Sequence, residues 1–220
     1  MKPLEDCRLY TFVDTAYLNG RAPEVVAQQL CDGGSDIIQL RAKSCSTEEI
    51  RRTAEKIAPV TKRAGVSLVI NDYPEIAREV GAGFCHLGQE DFFDAGHANV
   101  HDLKIDRLPS ASTPSILKIG LSSHAPEQAQ RAVEAGADYI AIGPVYATGT
   151  KPGRTPVTLE YVRWAAQNVK VPWFAIGGIN LDNLDDVIAA GATRVCVVSA
   201  ILNAPDLAAA CREFQQHLHA

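Results

Sequence analysis

Charged and hydroxyl side chains recur in this chain where apolar runs stop. Arg41 and Lys43 follow "IIQL", Asn71 and Asp72 close "SLVIND", and Asp91 ends "CHLGQED". Further on, Ser122 lies in "LKIGLSSH", and Thr148, Thr150 and Lys151 crowd into "GPVYATGTKPG". A purely cationic site would bind anions, and the aspartates would weaken it. A divalent metal reconciles the two signs. Hard oxygen ligands from Asp72 and Asp91 suit Mg²⁺, which keeps several waters and bridges to phosphate oxygens, while Arg41, Lys43 and Lys151 neutralise the remaining negative charge. The mixture points to a pyrophosphate or to two phosphates. Taken singly, each aspartate also reads as a helix cap that satisfies free amides in a first turn. Only convergence of all these groups selects the metal reading.

Convergence depends on the elements. Four segments, "GGSDIIQL", "VGAGFCHL", "AGADYIAI" and "AGATRVCV", each place a glycine where a helix would end and then an apolar run rich in strand formers. Stretches with apolar residues three and four apart precede them, so the unit is helix then strand. The pattern predicts strands near residues 8–13, 36–41, 67–71, 83–87, 117–122, 138–143, 172–177 and 194–199. Helices are predicted over 23–32, 46–64, 73–80, 125–135, 158–169, 181–190 and 205–218. Ser46 and Glu49 have capping-box spacing at the start of the longest helix, and Pro59 is expected to kink or shorten it. Residues 91–115 mix glycine, proline and serine and predict only a short or irregular helix. The strands are nearly continuous apolar runs, as parallel strands covered by helices require. Eight of them alternating with helices predict an α/β fold, a closed (β/α)8 TIM barrel in one domain over residues 1–220, with an open doubly wound sheet as second choice.

In that barrel the strand ends form one rim, which collects Gln39, Arg41, Lys43, Asn71, Asp72, Gln89, Glu90 and Asp91. The loops after strands seven and eight are the recurring phosphate cradle of the architecture, and here they hold Gly177, Gly178 and Ser199. The two glycines are equally explained by a left-handed turn. His86 reads as a hydrogen-bonded core or rim residue, whereas His124, just beyond strand five, faces the mouth and is placed for proton transfer. His97 and His101 lie one helical turn apart in a surface-type segment, a weak metal pattern. Trp173 reads as barrel filling and Trp164 as a helix face.

Composition narrows the partners. With 21 basic and 26 acidic side chains, a formal charge of −5 and no basic run, the chain offers no surface for nucleic acid. No stretch has transmembrane length and the N-terminus lacks the apolar core of a signal peptide, so a cytoplasmic protein without membrane association is expected. The six cysteines form no C-x-x-C pair and read as reduced, small apolar residues. A homo-oligomer is compatible with the sequence.

Over nearly its whole length, from "LYTFVD" to "VVSAI", the chain resembles the thiamine phosphate synthase family. The segments that carry the likeness are "QLRAK", "VINDYPEIAREVGAGFCHLGQED", "GLSSH", "YIAIGPVYATGTK", "FAIGGI" and "VCVVSAI", in family order. The resemblance implies that phosphorylated heterocycles are the partners. A transferase would join 4-amino-2-methyl-5-hydroxymethylpyrimidine pyrophosphate to 4-methyl-5-(2-hydroxyethyl)thiazole phosphate with Mg²⁺, giving thiamine phosphate and pyrophosphate by a dissociative route. It implies Asp72 and Asp91 as metal ligands and Arg41, Lys43, Ser122 and Lys151 as pyrophosphate contacts, with Lys43, Ser122 and Lys151 catalytic. Gln39 and Asn71 would contact the pyrimidine. Thr148, Thr150, Gly178, Val198 and Ser199 would receive the thiazole phosphate. Two positions depart from the usual pattern: Ala42 stands where the family has an acid, and Tyr73 where arginine is common. Neither is one of those ligands.

Two other readings compete. A thiazole tautomerase of similar fold would use proton transfer, for which His124 is the candidate, but would gain nothing from Asp72, Asp91, Lys43 and Lys151. A non-catalytic barrel that binds thiamine precursors would bind substrate without Mg²⁺-dependent turnover.

Overall fold

The computed structural model describes residues 2–103, 105, 116–149 and 155–219. Eight parallel strands close a barrel in chain order: β1 (Leu9–Asp14), β2 (Ile37–Arg41), β3 (Ser67–Asn71), β4 (Phe84–Leu87), β5 (Lys118–Ser123), β6 (Tyr139–Ile142), β7 (Trp173–Ile176) and β8 (Val195–Cys196). Closure comes from β1 and β8, where Leu9 pairs with Val195 and Tyr10 with Cys196. All six residues of β1 and all four of β6 are buried, as strands with helices outside and side chains inside must be.

Among the described residues seven of the nine helices lie where the periodicity puts them. The nine are α1 (Pro23–Asp32), α2 (Thr47–Ala64), α3 (Pro74–Glu79), α4 (Gln89–Asp94), α5 (Pro126–Glu134), α6 (Thr158–Asn168), α7 (Leu184–Ala189), α8 (Ser199–Leu202) and α9 (Leu207–Leu218). Among the described residues no helix is long and apolar enough to cross a membrane. The capping box of α2 is formed, with Ser46 Oγ accepting from the Glu49 amide and the Glu49 carboxylate accepting from the Ser46 amide. Pro59 does not shorten α2, which runs on to a left-handed cap at Gly65. Glu55, whose carbonyl loses its partner to the proline, is exposed, so water can take the bond. The irregular segment after β4 supplies α4 and a 3₁₀ turn over Val100–Asp102, with residues 106–115 outside the described set.

Strand eight differs most from expectation. It ends at Cys196, and Val198 turns the chain into the four-residue α8, so Ser199 opens a helix instead of closing a strand. Apolar composition is the same for both outcomes and could not separate them.

The barrel interior is filled by aromatic rings. Tyr10 lies 5.3 Å from Phe12 in a stacked pair and 5.3 Å from Phe174 edge-on, while Tyr139 lies 5.9 Å from Phe174 and 6.0 Å from Phe84. At the N-terminal face Asp36 ties three segments together. It accepts from the amides of Arg8 and Leu9, pairs with Lys2 at 2.7 Å, and accepts from Gln215 of α9. Tying that end together leaves the opposite rim available for chemistry.

Candidate active site

The rim holds one cavity with two lobes. Arg41, Asn71, His86, Ser122 and His124 line both of them. The first lobe adds Lys43, Asp72, Glu90 and Asp91. The second adds Gln39, Thr148, Gly177, Gly178, Val198 and Ser199, with Phe12, Ile176 and Ile179 as apolar wall, and encloses about 860 Å³ including its open mouth. Every described residue that the sequence singled out for metal, pyrophosphate, pyrimidine or thiazole phosphate therefore borders this cavity. Thr150 and Lys151 lie outside the described residues. Gln89 is buried and borders neither lobe; its backbone amide reaches Ser122 Oγ at 3.4 Å.

Asp72 is presented by an unusual backbone. Its φ is 67°, in the left-handed region that aspartate tolerates better than most residues, and its amide donates to the His86 carbonyl at 2.9 Å. The turn sets its carboxylate at the rim, where Oδ2 lies 2.6 Å from Lys43 Nζ. With side chains 49 % and 26 % exposed, this pair adds little to stability. Asp91, in the first turn of α4, folds back over Gly88, where an added Cβ would lie 2.6 Å from its Oδ2.

Arg41 is held by a residue that the sequence reading passed over. Its Nη1 donates to Asp14 Oδ2 at 2.8 Å, and Asp14 Oδ1 accepts from the Ala16 amide. The signal was present, since Asp14 ends β1 just as Asp72 follows β3, but no cation sits near it in sequence. The predicted strand stops at residue 13 and leaves Asp14 without a role.

The second lobe is shaped by glycines. An added Cβ at Gly178, whose φ is 65°, would come within 2.6 Å of the Ala147 carbonyl oxygen. Bare backbone is thus required for the loop after β6 to close on the loop after β7, where the Tyr146 amide donates to the Gly177 carbonyl at 3.0 Å. His124 donates from Nδ1 to the Gly143 carbonyl, which places its proton on that nitrogen.

Among the described residues no three histidine, cysteine or acidic side chains gather closely enough to hold a metal unaided. Asp72 and Asp91 nevertheless fit Mg²⁺ by donor type, because that ion takes one or two carboxylates and fills its shell with water and substrate phosphate oxygens.

Together the fold and the rim define a (β/α)8 barrel with its charged cavity at the carboxyl ends of the strands, where barrel enzymes have their active sites. The chain belongs to the thiamine monophosphate synthase family, whose sequence model matches residues 9–201. It is 42 % identical over 194 residues to the thiamine-phosphate synthase of Thermus thermophilus, covering 85 % of this chain and 84 % of that one. The thiamine-phosphate synthase of Acidothermus cellulolyticus is 42 % identical over 223 residues, covering 99 % of this chain and 97 % of the relative. Among solved structures, thiamine phosphate pyrophosphorylase from Pyrococcus furiosus superposes with a TM-score of 0.78 at 25 % identity, covering 98 % and 97 % of the two chains.

Proposed function

We propose that this protein is a thiamine phosphate synthase that joins 4-amino-2-methyl-5-hydroxymethylpyrimidine pyrophosphate to 4-methyl-5-(2-hydroxyethyl)thiazole phosphate. The observation that supports this best is the two-lobed cavity with a shared middle. A reaction between two phosphorylated heterocycles needs two anion subsites flanking the place where carbon meets nitrogen, and the lobes divide in that way. Lys43, Asp72 and Asp91 belong to one, Thr148, Gly178, Val198 and Ser199 to the other.

The carbon–oxygen bond of the pyrimidine methylene breaks and pyrophosphate leaves with the electron pair. The thiazole nitrogen then gives its lone pair to the methylene carbon, forming the new carbon–nitrogen bond. Asp72 and Asp91 would hold Mg²⁺, which when bound would supply charge neutralisation to the leaving pyrophosphate. Arg41 and Lys43 bring fixed positive charge to the same group, joined by Lys151 from outside the described residues, and Ser122 donates a hydrogen bond to it. Gln39 and Asn71 hold the pyrimidine ring, and Thr148, Thr150, Gly178, Val198 and Ser199 hold the thiazole phosphate. Phe12, Ile176 and Ile179 keep water from competing with the thiazole for the methylene carbon. Juxtaposition of the two partners supplies much of the rest.

The test is incubation of the purified protein with both phosphorylated heterocycles and Mg²⁺. Thiamine phosphate and pyrophosphate should appear in equal amounts. A folded protein that releases neither removes this reading, and binding without turnover would favour the non-catalytic barrel.

A further inference from the structure

Two asparagines clasp the loop after β7. Asn183 Nδ2 donates to the Gly178 carbonyl at 3.0 Å, and Asn183 Oδ1 accepts from the Asn180 amide at 2.9 Å. In return Asn180 Oδ1 accepts from the amides of Asp182 and Asn183 at 2.9 and 3.2 Å. Both partners of the Asn183 side chain are backbone groups with one role each, a carbonyl that accepts and an N–H that donates. The orientation of its amide therefore has no alternative.

Asn183 also stands in the place of a helix cap without acting as one. It directly precedes α7, where an asparagine ordinarily accepts from the second or third amide of the helix, yet its side chain makes no such bond. A cap of this kind is worth about 1 kcal/mol, and α7 forgoes it. What the side chain holds is a peptide on the cavity wall, since Gly178 and Ile179 both border the second lobe. A trans peptide sets its N–H opposite its carbonyl, so a Gly178 carbonyl held by Asn183 turns the Ile179 N–H away from that side chain. The preceding peptide is fixed in the same manner, because the Gly177 carbonyl accepts from the Tyr146 amide at 3.0 Å. Ile179 is buried, and its amide has no hydrogen-bond partner among the described residues. A buried N–H without a partner is rare and costly, which marks this one as a donor kept for a ligand.

We propose that Asn183 is a positioning residue: through the Gly178 carbonyl it holds the Ile179 N–H toward the second lobe, as a donor to a phosphate-type anion. Such a bond to a charged acceptor is about twice as strong as one between neutral groups, so its direction matters to affinity. That the anion is the thiazole phosphate rests on the proposed function, whereas the aim of the peptide does not.

The experiment is a ¹H–¹⁵N NMR titration of the protein with inorganic phosphate, against chloride at matched ionic strength. The Ile179 amide should shift with phosphate and not with chloride. Asn183→Ser retains a favoured cap residue but is too short to reach Gly178, so circular dichroism should be unchanged while phosphate affinity falls roughly tenfold. The same variant should raise KM for the thiazole phosphate roughly tenfold and leave kcat and the pyrimidine KM within about twofold. Asn180→Ala loosens the same turn but keeps the Asn183 donor and the amide that Asn183 accepts from, and should leave phosphate affinity within about twofold. A wild-type Ile179 amide indifferent to phosphate overturns the proposal, whether or not either variant folds. An equal loss of phosphate affinity in both variants, or none in Asn183→Ser, overturns it too. Weakened phosphate binding with an unchanged thiazole KM overturns the assignment of the anion to the thiazole phosphate. The titration needs no turnover, so an inactive wild type whose Ile179 amide responds would reject the synthase reading alone.

Discussion

Arg41 Nη1 lies 2.8 Å from Oδ2 of Asp14, a residue only 1 % exposed, at the carboxyl ends of paired strands. A buried carboxylate that also accepts a backbone amide cannot follow a mobile cation; it fixes where the guanidinium sits. Asp14→Asn keeps the shape and removes the charge. We expect KM for the pyrimidine pyrophosphate to rise about tenfold, equivalent to ~1.4 kcal/mol, while KM for the thiazole phosphate stays within twofold. Steady-state kinetics with each substrate varied in turn would show it, and equal changes in both KM values would mean that Asp14 supports the barrel generally.

Asp91 occupies an exposed first turn of α4, so Asp91→Ala should leave the melting temperature within a few degrees of wild type. Coupling that depends on Mg²⁺ should be lost. Activity titrated against Mg²⁺ is the measurement, and turnover equal to wild type would take Asp91 out of the metal site.

Ser199 opens α8 on the second lobe. A carboxylate there would repel a bound phosphate, so Ser199→Asp should raise KM for the thiazole phosphate by an order of magnitude or more, with the pyrimidine KM little changed. An unaffected thiazole KM would move that phosphate elsewhere.

Asp36 makes stability depend on pH. Burial pushes its carboxyl up, but Lys2, the amides of Arg8 and Leu9, and Gln215 together outweigh this and leave it below the ordinary value. A lowered folded pKa contributes stability that is present above the unfolded value, about 4, and is lost as pH falls through the folded one. Asp36→Asn should therefore cost about 1–3 kcal/mol at neutral pH, and the difference should shrink on acidification below about pH 4. Urea unfolding of both proteins across that range would test it; a gap independent of pH would assign the effect to hydrogen bonding alone.

The barrel was readable because its signals are local. Glycines at helix ends, the Ser46–Glu49 box and continuous apolar strands each report on a few neighbouring residues, and β3 and α1 fall on the predicted bounds. The rim residues were readable for a related reason: in a parallel barrel every strand ends on the same side, so Arg41, Asn71, Asp72 and Ser122 had to meet. Asp14 was missed because its partner is 27 residues away and nothing near it advertises a charge.

The sequence by itself determined which strand ends gather at the mouth of the barrel, since strand polarity decides that without reference to packing. Only the tertiary structure decided how they are tied together. The left-handed backbone at Asp72, the turn of Val198 into α8, and the pairing of Arg41 with Asp14 all depend on atoms far apart in the chain coming within hydrogen-bonding distance. A histidine's tautomer or an arginine's direction is set by such neighbours, and no pattern of residue types along a single strand contains them.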